Sequence, residues 1–355
     1  MGGMSVAQPV EVDREVVDFA IVGQWMEEQG LPGGPFEEVT PLGGGTQNIM
    51  LRFRRGGREY VLRRGPKHLR KASNTVINRE SRILGALGDT EIRAPKVIAA
   101  CTDETVLGGA SFYLMEPIHG FNPQTELPAL HAGDPEMRRQ MGLSAVEAIA
   151  RLGSLDHEAL GLGDYGKPEG FLERQVPRWL TELESYGVNE GYPGPEIPGV
   201  EQVGDWLDRN RPVQPKPGIL HGDCHLANMM FSFDGPEVVA MVDWEMSTIG
   251  DPLLDLGWQL ATRPEPGTSG SGLFGLLGQA GGLPTPEEMI AHYGKFSDRD
   301  LSHVTWYTVL ACFKLGIVLE GTHARAFAGK APKQTGDFLH AITLELFEKA
   351  HRLMQ

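Results

Sequence analysis

Asp223 and Asn228 stand five positions apart in the run His221-Gly222-Asp223-Cys224-His225-Leu226-Ala227-Asn228, and Asp243-Trp244-Glu245 begins fifteen positions after Asn228. A carboxylate, an amide and a second carboxylate at these intervals suit phosphoryl transfer. Asp223 is placed to orient an acceptor hydroxyl and take its proton, while Asn228 and Asp243 supply oxygen ligands for a Mg²⁺ that bridges nucleotide phosphates. Between them lie two short apolar runs, Met229-Met230-Phe231 and Val238-Val239-Ala240-Met241-Val242, separated by Phe233-Asp234-Gly235-Pro236. Asp-Gly is a strong turn signal, so a hairpin is expected to return Asp243 to Asn228.

The elements that must position this chemistry are legible in part. Val76, Glu80, Ile83, Leu84 and Leu87 share one helical face, which points Glu80 with an apolar stripe, where a carboxylate needs a partner. Val61 and Arg63 face one side of the strand-like run Tyr60-Val61-Leu62-Arg63 by its period of two. Arg63 is the expected partner of Glu80. The run Gly43-Gly44-Gly45-Thr46-Gln47-Asn48 precedes another strand-like segment, and its backbone amides suit a phosphate cover, although a flexible turn has the same composition.

Taken in order, these blocks resemble the aminoglycoside phosphotransferase family, which is choline kinase-like, and in particular its acyl-CoA-dehydrogenase-associated branch. The resemblance also rests on Phe112-Tyr113-Leu114-Met115-Glu116, Asn78-Arg79-Glu80 and Gly250-Asp251-Pro252-Leu253-Leu254-Asp255-Leu256. It implies an α+β, protein-kinase-like bilobal fold. Residues 1–117 would form a nucleotide-binding lobe, a leading helix plus a small antiparallel sheet, and residues 118–355 a larger helical lobe that carries catalysis and the acceptor.

By the same resemblance the cofactors are ATP and Mg²⁺. Gly43, Gly44, Gly45, Thr46 and Asn48 would cover the phosphates, Val61 the base, and Arg63, paired to Glu80, would clamp phosphate oxygens. Met115, Glu116 and Ile118 would form a hinge; Pro117 has no N–H, which leaves Glu116 or Ile118 as the donor to the adenine edge, and the resemblance assigns the acceptor to the Glu116 carbonyl and the donor to the Ile118 amide. Asp223 would be catalytic, Asn228 and Asp243 the metal ligands, and His221 and Asp255 structural support. Asp255 has a second reading, as an acid in the first turn of a helix that favours the dipole. Asp251-Pro252 reads as a helix cap.

Two departures from the protein-kinase pattern matter. Arg63 stands where Lys is usual, and guanidinium and ammonium differ in geometry. Gly222 replaces the Arg of a His-Arg-Asp motif and no Ala-Pro-Glu segment follows, which argues against protein substrates. The implied acceptor is a hydroxyl on a small molecule: an antibiotic, a choline-like alcohol, or a hydroxyacyl-CoA or hydroxy acid. Glu173, Arg174, Arg178, Asp255, Arg263 and Arg325 are acceptor-site candidates of both signs. Two alternatives from other classes stay open: a nucleotide-binding pseudokinase, and a zinc-dependent hydrolase using His221, Cys224 and His225, against which stands the lack of a second ligand cluster at metal spacing.

Composition bounds the rest. A net charge of −15, from 32 basic and 47 acidic residues, excludes a nucleic-acid partner in the usual electrostatic mode. Basic residues gather locally, at Arg52, Arg54, Arg55, Arg58, Arg63, Arg64, Lys67 and Arg70. Three scattered cysteines suit a reducing compartment, and no signal peptide or membrane span is expected, so a cytoplasmic location is inferred. The oligomeric state is not readable. Helices are expected at residues 12–29, 137–152, 171–186, 301–327 and 337–353, with a capping box at Thr285-Pro286-Glu287-Glu288, a Gly/Pro-rich loop at 189–200 and a mobile loop or lid at 263–284.

Overall fold

The computed structural model describes residues 17–43, 48–213, 216–264 and 275–355. The chain divides after Ile118 into two compact units.

In the first unit, helix α1 (Phe19–Glu28) starts seven residues later than its apolar pattern suggests. The reason is Asp18, whose carboxylate accepts from the Ala20 and Ile21 amides at 2.9 and 3.2 Å and so sets the cap there; residues 12–16 lie outside the described residues. Five antiparallel strands follow: β1 (Glu37–Pro41), β2 (Ile49–Arg55), β3 (Arg58–Arg64), β4 (Val97–Cys101) and β5 (Phe112–Met115), in the order β1-β2-β3-β5-β4. Gly56 and Gly57, at φ +56° and +78°, make the two-residue turn that joins β2 to β3 with Arg55 opposite Arg58.

The sheet has two different faces. Leu51, Phe53, Tyr60, Leu62, Phe112 and Leu114 pack with Val22, Trp25 and Met26 of α1 into one core cluster. By the alternation of β3, Val61 and Arg63 lie on the opposite face, and both are buried. Helix α2 (Ser73–Leu87) buries Ile77, Glu80, Ile83, Leu84 and Leu87, with Ile77 rather than Val76 leading the stripe.

The basic run around β2 and β3 is mostly structural. Arg55 is buried, donates to the carbonyls of Gly34 and Gly23 and pairs with Glu27 at 2.6 Å, which ties β2 to α1. Arg52 pairs with Glu59, and Arg58 with Glu116.

The second unit is largely helical. After α3 (Ala129–Gly133) and α4 (Pro135–Ser154), α5 runs Gln175–Ser185, four residues shorter at its start than expected, with Pro177 in its first turn where no N–H is required. Helix α6 (Val200–Arg209) was not anticipated. Short strands β6 (Gly218–Leu220), β7 (Met229–Phe231), β8 (Val238–Met241) and β9 (Thr248–Gly250) pair as β6 with β9 and β7 with β8. They are followed by α7 (Leu253–Thr262), α8 (Gly275–Ala280), α9 (Pro286–Tyr293), α10 (Val304–Phe327) and α11 (Lys333–Leu353).

The expected capping box opens α9, with Thr285 and Glu288 exchanging side-chain to backbone bonds at 3.2 and 2.8 Å. The expected loop at 263–284 contains α8, and Arg263 Nε donates to the Pro284 carbonyl at 2.7 Å; residues 265–274 of the proposed lid lie outside the described residues. Helix α10 corrects the expectation of no membrane-length segment, because it is long and apolar enough by composition. It is instead a core helix, with 83% of that stretch buried. Trp306, Tyr307 and Phe313 on it are core residues as expected, whereas Phe327 is 45% exposed.

Candidate active site

The residues 221–223 leave β6 through a backbone shape that dictates one of them. Gly222 has φ +84°, and a Cβ there would sit 2.5 Å from the Met246 carbonyl oxygen. A side chain is disfavoured on both counts. Asp255, in the first turn of α7, accepts the amides of His221 at 2.6 Å and Gly222 at 2.9 Å. It therefore holds the loop as well as complementing its helix. Burial raises its carboxyl above the ordinary range, opposed by the His221 ring and these backbone donors.

His221 is fully buried. Its Nε2 donates to the Val242 carbonyl at 2.9 Å and its ring lies 4.7 Å from that of Trp244, so it fastens the loop to the segment that carries Asp243. The hairpin expected between Asn228 and Asp243 is formed. Met229 pairs with Met241, and the Val242 amide donates to the Asn228 carbonyl at 2.9 Å. Asn228 Nδ2 donates to the Asp223 carbonyl at 2.8 Å and to Asp223 Oδ2 at 3.0 Å, which spends its donors and leaves its carbonyl oxygen as the group suited to a cation. Asp243 sits at φ +65° and ψ +67°, a conformation that costs a non-glycine residue energy and recurs at functional positions.

Asp251 caps α7 through the Leu253 amide at 3.1 Å and accepts from Tyr307 Oη at 2.5 Å. Cys224 is buried and its thiol donates to the Asp255 carbonyl at 3.2 Å; burial pushes its pKa well up. With His221 also committed to backbone, the described residues give no three-ligand metal group from His221, Cys224 and His225.

Beside Asp223 lies a cavity of about 340 Å³. Its walls include Glu245, Trp258, Lys314, Leu315 and Val318, together with His225, whose Nε2 is 3.5 Å from Asp223 Oδ1. Lys314, on α10, was missed by sequence reasoning. Its ammonium donates to the Gly222 carbonyl at 2.9 Å and sits 4.3 Å from the centre of the Trp258 ring. Burial lowers its pKa, while Asp223 and Asp255 pull it back. No periodic signal pointed to it, because the helix that carries it is apolar on nearly every face.

Of the six acceptor candidates, Asp255 holds the loop, Arg263 closes the 263–284 segment and Arg325 bonds Thr322. Glu173 lies 3.9 Å from Arg211, Arg174 bonds the carbonyls of Glu169 and Lys167, and Arg178 lies over Trp179. None of the six lines the cavity at Asp223.

In the first unit, Arg63 Nε donates to Glu80 Oε2 at 2.7 Å, a pair whose side chains are 10% and 2% exposed. Val61 stands opposite Met115 and Arg63 opposite Tyr113. The Glu116 amide donates to the Lys96 carbonyl at 2.9 Å, so among the two amides flanking Pro117 that one is committed inside the sheet edge. Gly43 and Asn48 flank the glycine-rich segment; Gly44, Gly45 and Thr46 lie outside the described residues.

Comparison with known proteins decides the family. Residues 38–290 match the phosphotransferase enzyme family. This chain belongs to that family. The phosphotransferase is 29% identical to mouse acyl-CoA dehydrogenase family member 10 over 321 residues, covering 89% of this chain and 29% of that protein. It is 30% identical to human acyl-CoA dehydrogenase family member 11 over 314 residues, covering 87% of this chain and 39% of that protein. It thus spans well under half the length of these relatives.

Among solved structures it resembles a Ralstonia eutropha protein provisionally designated an aminoglycoside phosphotransferase, with a TM-score of 0.77, 29% identity and coverage of 94% and 98% of the two chains. It shares the fold of APH(4)-Ia, solved in a ternary complex with AMP-PNP and hygromycin B, at a TM-score of 0.57, 14% identity and coverage of 91% and 97%. The phosphotransferase therefore has the kinase-like α+β fold expected from its motifs.

Proposed function

We propose that this phosphotransferase moves the γ-phosphate of ATP to a hydroxyl of a small molecule. The observation that carries the reading is the Asp223, Asn228 and Asp243 arrangement: one carboxylate bonded to an amide, and a hairpin that returns the second carboxylate to that amide's strand. A hard-oxygen donor set of one amide and one carboxylate fits Mg²⁺, which takes its remaining ligands from water and phosphate. Asn228 and Asp243 would hold the ion, whose chemistry when bound is to neutralise phosphate oxygens.

Each residue has a stated task. Asp223 orients the acceptor hydroxyl and takes its proton as the oxygen attacks phosphorus. Arg63, held by Glu80, would meet phosphate oxygens with its guanidinium. His221 and Asp255 keep the Asp223 loop in one conformation. The Ile118 amide is the donor for the nucleotide base edge, since the Glu116 amide is engaged.

The acceptor is a hydroxyl-bearing metabolite with an apolar portion and an anionic group, such as a hydroxyacyl-CoA or hydroxy acid. Support comes from the cavity wall, where Trp258, Leu315 and Val318 are joined by one buried ammonium, and from relatives named for acyl-CoA dehydrogenases. A polycationic aminoglycoside would instead want several carboxylates, and Asp223 and Glu245 are the acidic groups on that wall.

The test is ADP release from MgATP across hydroxyacyl-CoA thioesters, hydroxy acids, choline-like alcohols and aminoglycosides, with mass detection of the phosphorylated product. Asp223→Ala is expected to lower turnover by roughly 10²–10⁴-fold while MgATP binding stays within a few-fold. Turnover near the wild-type level in that variant would remove Asp223 from its role.

A further inference from the structure

Outside the site just described, one group of side chains around a buried carboxylate has the composition of a metal centre. Helices α10 and α11 are joined by residues 328–332 and form a helical hairpin. Each carries a carboxylate and a histidine three positions apart: Glu320 and His323 on α10, Asp337 and His340 on α11. Three positions apart on a helix is one face, so each helix presents both groups together. This corrects the expectation that the chain has no second ligand cluster.

Glu320 is fully buried, a costly place for a carboxylate without a cation. Tyr192 Oη donates to its Oε1 at 2.7 Å, and His340 Nδ1 donates to its Oε2 at 2.6 Å. The His323 ring stacks on that of His340 at 4.3 Å. His323 Nδ1 is buried without a hydrogen-bond partner, 3.8 Å from Asp337 Oδ1. The ligand atoms of Glu320, His323 and His340 all lie within 4.8 Å of one another.

We propose that Glu320, His323 and His340 bind one transition-metal dication of the zinc class, with Tyr192 as the outer partner that orients Glu320 and Asp337 at the open side. Two imidazoles and one carboxylate are a borderline donor set that suits Zn²⁺ or Co²⁺ over Mg²⁺. A buried His340–Glu320 ion pair alone would satisfy the carboxylate. It accounts for neither the second imidazole with its unpartnered nitrogen nor the repetition of the carboxylate and histidine spacing on the facing helix. The ion would fasten α11 and the Tyr192 loop to α10.

The test uses the untagged 355-residue chain, dialysed against Zn²⁺ with Mg²⁺ in excess to saturate hard-oxygen sites. One zinc per chain is expected, together with a rise in Tm, since a ligand bound to the folded state alone stabilises it. Substitution by Co²⁺ is expected to give visible absorption bands. His323→Ala is the decisive variant, because it leaves the Tyr192–Glu320 and Glu320–His340 bonds in place. It should weaken zinc binding by more than the roughly 100-fold that loss of an outer-shell partner costs, and abolish the cobalt bands. Failure of the wild-type chain to take up zinc, or uptake that survives unchanged in His323→Ala, overturns the site.

Discussion

The His221 amide donates to the Asp255 carboxylate at 2.6 Å, while the same histidine's ring, at its other end, donates to the Val242 carbonyl. One residue thus couples the Asp223 loop to α7 and to the hairpin, and it does so as a fully buried imidazole. Burial lowers its pKa below the ordinary 6.5, against the pull of Asp255 and Asp223. A base with a lowered folded pKa is neutral when folded, so its stabilisation is complete above pH 6.5 and is lost as pH falls through the folded value. Between pH 6.5 and 5, wild-type unfolding free energy should drop more steeply than that of His221→Gln, by up to about 1.4 kcal/mol per pH unit for one proton. Denaturant titrations at stepped pH read this directly; parallel slopes would remove His221 as the cause.

Gly222 sits where neither backbone nor space admits a side chain. Gly222→Ala is expected to cost at least about 1–2 kcal/mol from the left-handed backbone alone, with the contact to the Met246 carbonyl adding to it. The melting temperature should fall by roughly 2–4 °C for each kcal/mol lost. Gly57→Ala, also at positive φ but with nothing within 4 Å of the added Cβ, is the control and should lose only the backbone part.

The parts of the site legible in the sequence are those whose physics is local. Asn228 and Asp243 are brought together by a hairpin whose turn chemistry and apolar alternation lie within sixteen residues. Glu80 was legible because a carboxylate on an apolar stripe breaks a period. Lys314 and Glu320 escaped because α10 is apolar nearly all round, so no period is broken, and Gly222 and Tyr192, which bond them, lie 92 and 128 residues away in the chain. Helix α6 escaped for the opposite reason: it begins after Gly199 at φ +74° with no side-chain cap, and so offers no start signal.

The pair formed by Arg63 and Glu80 separates stability from function. Its side chains are 10% and 2% exposed, so Glu80→Ala removes the acceptor of a buried guanidinium bond and should cost about 1–3 kcal/mol of stability. The double variant Arg63→Met/Glu80→Leu replaces both charges with apolar volume, and its stability should recover to near wild type. MgATP affinity should not recover with it. A double variant that melts like wild type and still binds MgATP normally would assign the pair to packing alone.

Lys314 tests the reading of the acceptor. Its ammonium holds the Gly222 carbonyl at 2.9 Å, lies against Trp258 and forms part of the cavity wall beside Asp223. Two roles follow from that position, and they separate kinetically. If Lys314 only braces the loop, Lys314→Met lowers kcat equally for every acceptor. If a remaining N–H also meets an anionic group of the acceptor, the variant loses a charge-assisted hydrogen bond of about 1.5–3 kcal/mol, a rise in KM of roughly 10- to 150-fold confined to acceptors with a carboxylate or phosphate. We expect the second pattern, because methionine preserves the apolar stem against Trp258 and removes the charge. Equal losses with anionic and neutral hydroxyl acceptors would confine Lys314 to the loop and return the choice of acceptor to the apolar wall.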